Sequence, residues 1–310
     1  MSPGHAGAFS LRRARRSRLA FPCRRRDRQG RRMIEREPSR TAWMAATHRA
    51  AHQVLESGRI FADPLALPIL GLDAETVARD ALAHPERRGM RAFIAARSAF
   101  AEAALARAVE GRGLDQLVVL GAGLDTFAYR NPFADRLRVF EVDHPATQAW
   151  KRRRLGEAGV AAPGDVVYAA VDFERDTLLD GLRNAGFDDR RPAFFVWLGV
   201  VPYLTPQAVR ATLAVIGGLP DSAVVFDYAD PPSTLLDEAR AAHALRAGRV
   251  AALGEPWLSY FEPAALHALL RDQGFIAIKD LGPPDLARRY WPVAARHAPE
   301  RGGHVLLAAT

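Results

Sequence analysis

The chain has 310 residues, 49% of them apolar, and a formal charge of +8, a length that suits one enlarged α/β domain or two small ones. The basic excess is local: residues 1–32 hold eleven arginines against one acid, Asp27, and so carry +10, which leaves −2 for residues 33–310. The bulk of the chain therefore has no overall positive field for a nucleic-acid backbone, no apolar run approaches the roughly 18 residues of a membrane span, and the single cysteine, Cys23, allows neither an internal disulfide nor a cysteine-based zinc site. A reducing cytoplasm is the expected location.

Residues 1–38 lack the apolar core of a secretory signal and are expected to be an arginine-rich disordered tail or a mis-called start, with Met33 as a natural first residue. An N-terminal helical cap is expected over 39–112. Within it, Ser39 to about Glu56 reads as a helix, because Trp43, Ala46, Ala50 and Val54 recur at spacings of three and four. Asp63-Pro64-Leu65-Ala66-Leu67-Pro68 interrupts the pattern, and a second long helix runs from about Glu86 to Val109. Arg97 projects from the middle of its apolar stripe, four residues after Phe93, three after Ile94 and three before Phe100. A guanidinium left buried and unpaired costs several kcal/mol, so an anion from the protein or from a ligand is expected beside it.

From residue 113 onward, apolar runs of strand length alternate with helical stretches. Strands are expected at 116–120, 137–141, 166–170, 193–198 and 222–228, with two short ones near 275–279 and 304–308. Most are continuous in Val, Phe and Leu without polar alternation, as strands covered on both faces should be. The expected class is α/β, with a doubly wound, seven-stranded, mostly parallel, Rossmann-like sheet. Thr205-Pro206 reads as a helix N-cap followed by a first-turn proline, and Gly274 as the close of a helix begun near Glu262-Pro263.

The first strand empties into Gly121-Ala122-Gly123-Leu124-Asp125-Thr126, and the second ends in Glu141-Val142-Asp143. Glycines let backbone approach a ligand that a Cβ would hold away, and a carboxylate at the neighbouring strand tip can accept from ribose hydroxyls. A nucleoside-type cofactor follows, with Gly121, Gly123 and Asp143 as its candidate contacts. Asp143 could instead cap the helix opened by His144-Pro145. Asp172, followed by Phe173, is open to the same two readings, cap or acceptor for an adenine amino group with the aromatic ring as its wall. A dinucleotide fold would want a small residue three after Gly123, where this chain has Thr126. His48 and His52 lie one helical turn apart without an accompanying carboxylate or cysteine, so no metal is expected. No Gly-x-Ser-x-Gly elbow supports a hydrolytic triad.

The stretch Leu120 to Thr126, with Tyr129-Arg130 and Phe140-Glu141-Val142-Asp143-His144-Pro145, resembles the leucine carboxyl methyltransferase family of class I S-adenosylmethionine-dependent methyltransferases. Arg97, Val171-Asp172-Phe173, Val201 to Pro206 and Gly254-Glu255-Pro256-Trp257 extend the resemblance from about Ser39 to the C-terminus. It implies that residues 113–310 bind S-adenosyl-L-methionine, with Arg97 on the methionyl carboxylate, Gly121 and Gly123 beneath the cofactor, Asp143 on the ribose, and Asp172 with Phe173 around the adenine. One departure stands out: relatives place a glutamate near the end of the fourth strand, where this chain reads Trp197-Leu198-Gly199. The expected activity is O-methylation of a carboxylate, or a hydroxyl, of a small molecule or peptide. Tyr203 and His144 are weak candidates for a base, and Trp43, Trp257, Tyr260 and Phe261 either line the acceptor or pack as core. The alternatives are an NAD(P)-dependent oxidoreductase and a non-catalytic cofactor-binding protein.

Overall fold

The computed structural model describes residues 39–171 and 177–310. Four helices come first: α1 (Arg40–Glu56), α2 (Ala66–Leu70), α3 (Ala74–Ala83) and α4 (Arg88–Arg112). There follow β1 (Gln116–Leu120), β2 (Arg138–Asp143), α5 (Pro145–Glu157), β3 (Val166–Ala170), α6 (Leu178–Asn184), β4 (Phe194–Trp197), α7 (Pro206–Gly217) and β5 (Ala223–Ala229). The chain ends with α8 (Asp237–Ala251), α9 (Pro263–Asp272), β6 (Ala277–Leu281), α10 (Pro283–Tyr290) and β7 (Gly303–Ala309).

The seven strands form one sheet in the order β3-β2-β1-β4-β5-β7-β6. β1 to β5 are parallel, and β7 inserts antiparallel between β5 and β6, with Phe226 opposite Leu306. The chain winds outward through β1, β2 and β3, then returns to place β4 on the other flank of β1. The winding reverses between β1 and β4, and the crevice outside the carboxyl ends of such strands is where open α/β sheets take ligands.

Successive strand residues face opposite layers, and both layers are apolar. Val118, Leu120, Phe140, Phe195 and Trp197 pack with Leu182 of α6, Val209 and Leu213 of α7, and Leu266 and Leu270 of α9. Leu117, Val119, Val139, Phe194 and Val225 pack with Phe100, Ala104, Leu105 and Ala108 of α4. Cover on both faces is why the central strands β1, β4 and β5 need no polar alternation, whereas the edge strand β6 is largely uncovered and carries Lys279 and Asp280. The capping signals also form: Ser39 accepts from the Ala42 N–H at 3.1 Å and Thr205 from the Ala208 N–H at 3.2 Å. Element ends shift by a residue or two from expectation, as where β6 spans Ala277–Leu281, and two differences bear on the site and its cap. β2 continues to Asp143, and the segment read as an interruption after Glu56 holds the short helices α2 and α3.

A buried polar cluster ties α1 to the glycine turn. Asp63 receives Arg49 Nε at 3.0 Å and the Thr126 hydroxyl at 2.8 Å; Arg49 Nη2 donates to the Leu124 carbonyl, and Arg130 joins Thr126 to Glu102 of α4. Among the described residues no helix is long and apolar enough to cross a membrane.

Candidate functional site

The turn after β1 folds back on β2. Gly121 and Ala122 donate their N–H groups to the Val142 carbonyl at 2.8 and 3.1 Å, and the Gly123 N–H donates to Asp143 Oδ2 at 2.6 Å. The other carboxylate oxygen of Asp143 accepts the His144 N–H at 2.7 Å. Burial pushes the Asp143 carboxyl above the ordinary aspartate value, against the pull of these two N–H groups. Asp143 is not the cap of α5; His144 is, its Nδ1 accepting the Ala146 N–H at 3.2 Å, because β2 runs one residue further than a cap at 143 would allow. Both glycines have positive φ, +64° and +45°. A Cβ on Gly121 would strike Val200, and one on Gly123 would lie 2.9 Å from Ala42 Cβ, so the β4 loop and α1 close on the turn only because side chains are absent there. Asp172 and Phe173 lie outside the described residues.

The anion required by Arg97 comes from the protein. Arg97 Nη1 donates to Asp227 Oδ2 at 2.7 Å, and the second oxygen of Asp227 accepts the Gly199 N–H at 2.5 Å. Both side chains are buried, Arg97 Nε has no hydrogen-bond partner among the described residues, and Phe93 lies beneath the guanidinium at 5.9 Å. Gly199 has φ of +72°, and a Cβ there would stand 2.7 Å from Arg97 Nη2. The guanidinium is thus held at the carboxyl end of β4, next to the strand that carries the glycine turn. The carboxylate beside Gly199 thus comes from β5, through Asp227. Sequence reasoning passed over Asp227, yet its signal matched that of Arg97: a lone charge in the apolar run Ala223-Val224-Val225-Phe226-Asp227-Tyr228.

Glu255, between α8 and α9, reaches the start of α1. It accepts from Arg40 N at 2.9 Å, Thr41 N at 3.3 Å, Ser39 Oγ at 3.2 Å and the Thr41 hydroxyl, and so supplies the negative charge that the first turn of α1 lacks. Tyr203 lies between Trp257 and Thr41; burial pushes its phenol up, while those two contacts and the Arg97 charge pull it down, with burial prevailing. Trp257 and Tyr260 flank His243 at 5.2 and 5.3 Å, and His243 Nε2 is buried with no hydrogen-bond partner among the described residues. Trp43 packs on Trp150 at 6.0 Å, and Phe261 on Tyr228 at 6.5 Å. The two histidines of α1 diverge. His52 pairs with Glu56 and lies against the N–H groups of Ile60 and Phe61, whereas His48 is pushed down to about 4, mainly by burial and further by Arg87, Arg91 and Arg97. No group of three His, Cys, Asp or Glu able to hold a metal ion occurs among the described residues.

The family model described as leucine carboxyl methyltransferase matches residues 42–217, more than half of the chain. The chain belongs to the leucine carboxyl methyltransferase family. YktD of Bacillus subtilis (strain 168), named for S-adenosyl-L-methionine-dependent methyl transfer, is 37% identical over 181 residues, which are 56% of this chain and 58% of YktD. A Mycobacterium avium (strain 104) relative named for the same chemistry is 33% identical over 230 residues, 70% of each chain. The chain thus spans little more than half the length of YktD, and 45% of a relative from Saccharopolyspora erythraea. A DUF574 family protein from Streptomyces avermitilis shares the fold: its crystal structure matches at a TM-score of 0.51 and 17% identity, over 85% of this chain and 97% of that one. Within the family match lie Arg97, Gly121, Gly123, Asp143, Gly199 and Tyr203; Asp227 and Glu255 lie beyond it.

Proposed function

We propose that the chain transfers a methyl group from S-adenosyl-L-methionine to an oxygen of a small molecule or peptide, and that this oxygen belongs to a carboxylate rather than a hydroxyl. The observation that carries the reading is the meeting of Asp143, the Gly121 to Gly123 turn and Arg97 at the carboxyl ends of β2, β1 and β4, in a chain of this family. The groups fit the cofactor. Each Asp143 oxygen accepts one protein N–H and retains a lone pair for a ribose hydroxyl, and Arg97 has N–H donors beyond the one given to Asp227. Asp172 and Phe173 take the adenine by the family resemblance. We read residues 113–310 as the cofactor domain, 39–112 as its helical cap, and the cytoplasm as its location, on the scarcity of cysteine.

S-adenosylmethionine supplies a sulfonium methyl already activated toward nucleophiles. What remains for the protein is to align the acceptor and keep water away. Neither weak base candidate suits proton abstraction. The Tyr203 phenol, raised by burial, stays protonated, and its oxygen is occupied in accepting from Trp257 and Thr41. His144 uses Nδ1 to accept from Ala146, so its neutral ring carries the proton on Nε2 and has no lone pair to offer. An ionised carboxylate needs no base, and that favours it over a hydroxyl. Against the dinucleotide reading stands Thr126, whose hydroxyl is committed to buried Asp63 at 2.8 Å where a small residue would be wanted.

Incubation with methyl-labelled cofactor and a panel of peptides, small acids and phenols tests the acceptor class. A base-labile methyl ester is the expected product. A base-stable ether would move the reading to a hydroxyl, and tight cofactor binding without any transfer would favour the non-catalytic alternative.

A further inference from the structure

Arg97 and Asp227 are 130 residues apart in sequence and belong to α4 and β5, yet they meet through a 2.7 Å bond inside the protein. Asp227 does more than neutralise. One oxygen holds Arg97 Nη1 and the other holds the Gly199 N–H, so the carboxylate fixes the guanidinium relative to the backbone at the end of β4. Gly199 completes the arrangement, since its missing Cβ is what lets Nη2 lie against the main chain. A purely structural pair would be expected to use the guanidinium fully, but among the described residues buried Arg97 Nε finds no acceptor.

We propose that Asp227 is a positioning residue for the amino-acid end of the cofactor, with Gly199 as the gap into which the Arg97 guanidinium fits. The inference rests on the cofactor assignment above. The amino-acid end of S-adenosylmethionine is a zwitterion, and an Arg–Asp pair offers both signs with no net charge. Asp227 keeps Arg97 from being an uncompensated buried cation before the cofactor arrives, and holds its remaining donors in a fixed direction for the incoming carboxylate. Orientation settled in advance is ordering that binding need not supply.

Two ligands separate this role from a structural one. S-adenosylhomocysteine carries the amino-acid end, whereas 5′-methylthioadenosine keeps the nucleoside and sulfur but lacks it. In Asp227→Asn, which preserves shape and removes charge, the Kd for S-adenosylhomocysteine should rise at least tenfold while that for 5′-methylthioadenosine stays within twofold. Gly199→Ala leaves Asp227 in place but pushes the guanidinium away, and should give the same selective loss should the Asn variant fail to fold. Equal weakening of both ligands in a folded variant, or an unchanged S-adenosylhomocysteine affinity, would make the pair structural and overturn the proposal. A wild-type protein that binds neither ligand would overturn it together with the cofactor assignment, whereas a defect confined to the variants bears on Asp227 alone.

Discussion

The Glu255 carboxylate accepts the Arg40 N–H at 2.9 Å across 215 residues of sequence, and so caps from a distant loop the helix that covers the glycine turn. Removing this carboxylate leaves orphan donors at the start of α1. Glu255→Ala should cost about 1 kcal/mol of stability, the usual value of an N-cap interaction. It should also raise hydrogen exchange in the first turn of α1 without touching the strands. Unchanged protection at Arg40 and Thr41 would show that Ser39 alone caps the helix.

Asp143 joins the turn to β2 and is the residue proposed to hold the ribose. Asp143→Ala should weaken S-adenosylhomocysteine by about 1.5–3 kcal/mol, the worth of hydrogen bonds to a charged acceptor. The wild-type affinity should carry a pH signature as well. Binding needs the ionised carboxylate, whose pKa burial raises above 3.8, so affinity should fall as acidification begins to protonate a group that titrates later than an ordinary aspartate. Titration calorimetry from neutral to acidic pH reads both effects; an affinity indifferent to pH and to the substitution would remove Asp143 from the site.

His304 of β7 lies between the part-buried carboxylate of Asp280 and the buried one of Asp230, with Nδ1 at 3.1 Å from the first and Nε2 at 3.2 Å from the second, and stacks on Tyr228 at 4.6 Å. Burial alone would lower its pKa, but Asp280 and Asp230 outweigh burial and hold it above 6.5. With a folded pKa above the unfolded one, the imidazolium contributes stability that is complete below pH 6.5 and lost as pH rises through the folded value. Melting temperature should therefore decline across that window in the wild type, and less steeply in His304→Gln. Parallel curves for the two proteins would show that the ring is neutral in the fold. His267, Arg301 and the Tyr228 hydroxyl also touch these carboxylates and should move the midpoint without reversing the sign.

Lys151 and Glu141 form a second buried pair at 2.7 Å, both side chains almost wholly enclosed. Burial raises the Glu141 carboxyl, and Lys151 pulls it back. Lys151→Met should cost about 3–5 kcal/mol by stranding the carboxylate, and the double substitution Glu141→Leu, Lys151→Met should recover most of that loss. Urea unfolding distinguishes the cases; a double variant no better than the single would mean the pair is replaced by a cavity rather than by packing.

Much of the sheet was legible because strands buried on both faces write continuous apolar runs, as Val118 to Leu120 and Val224 to Phe226 do. The parallel winding followed from their alternation with helices. Arg97 was legible for the opposite reason, as a charge where the helix stripe required none. Its partner was not, since a buried ion pair joins two residues that sequence separates by 130 positions, and only the parallel pairing of β4 with β5 brings Gly199 and Asp227 together. Glu255 was similarly hidden: capping is ordinarily local, and nothing in residues 39–56 announces a cap delivered from beyond α8. The helix α2 escaped because its five residues are too short a run to set up a period, and α3, ten residues long, was passed over although Val77 and Ala81 lie one turn apart on its buried face.

In the proposed function the crevice formed by β1, β2 and β4 takes an adenosyl group whose amino-acid end meets Arg97. Calorimetric titration of the protein and of Arg97→Met with S-adenosylhomocysteine, beside NAD and NADP, tests it most directly. The wild type should bind S-adenosylhomocysteine and neither dinucleotide, and Arg97→Met should fold yet bind it at least tenfold more weakly. Dinucleotide binding in place of S-adenosylhomocysteine, or equal affinity in Arg97→Met, would contradict it.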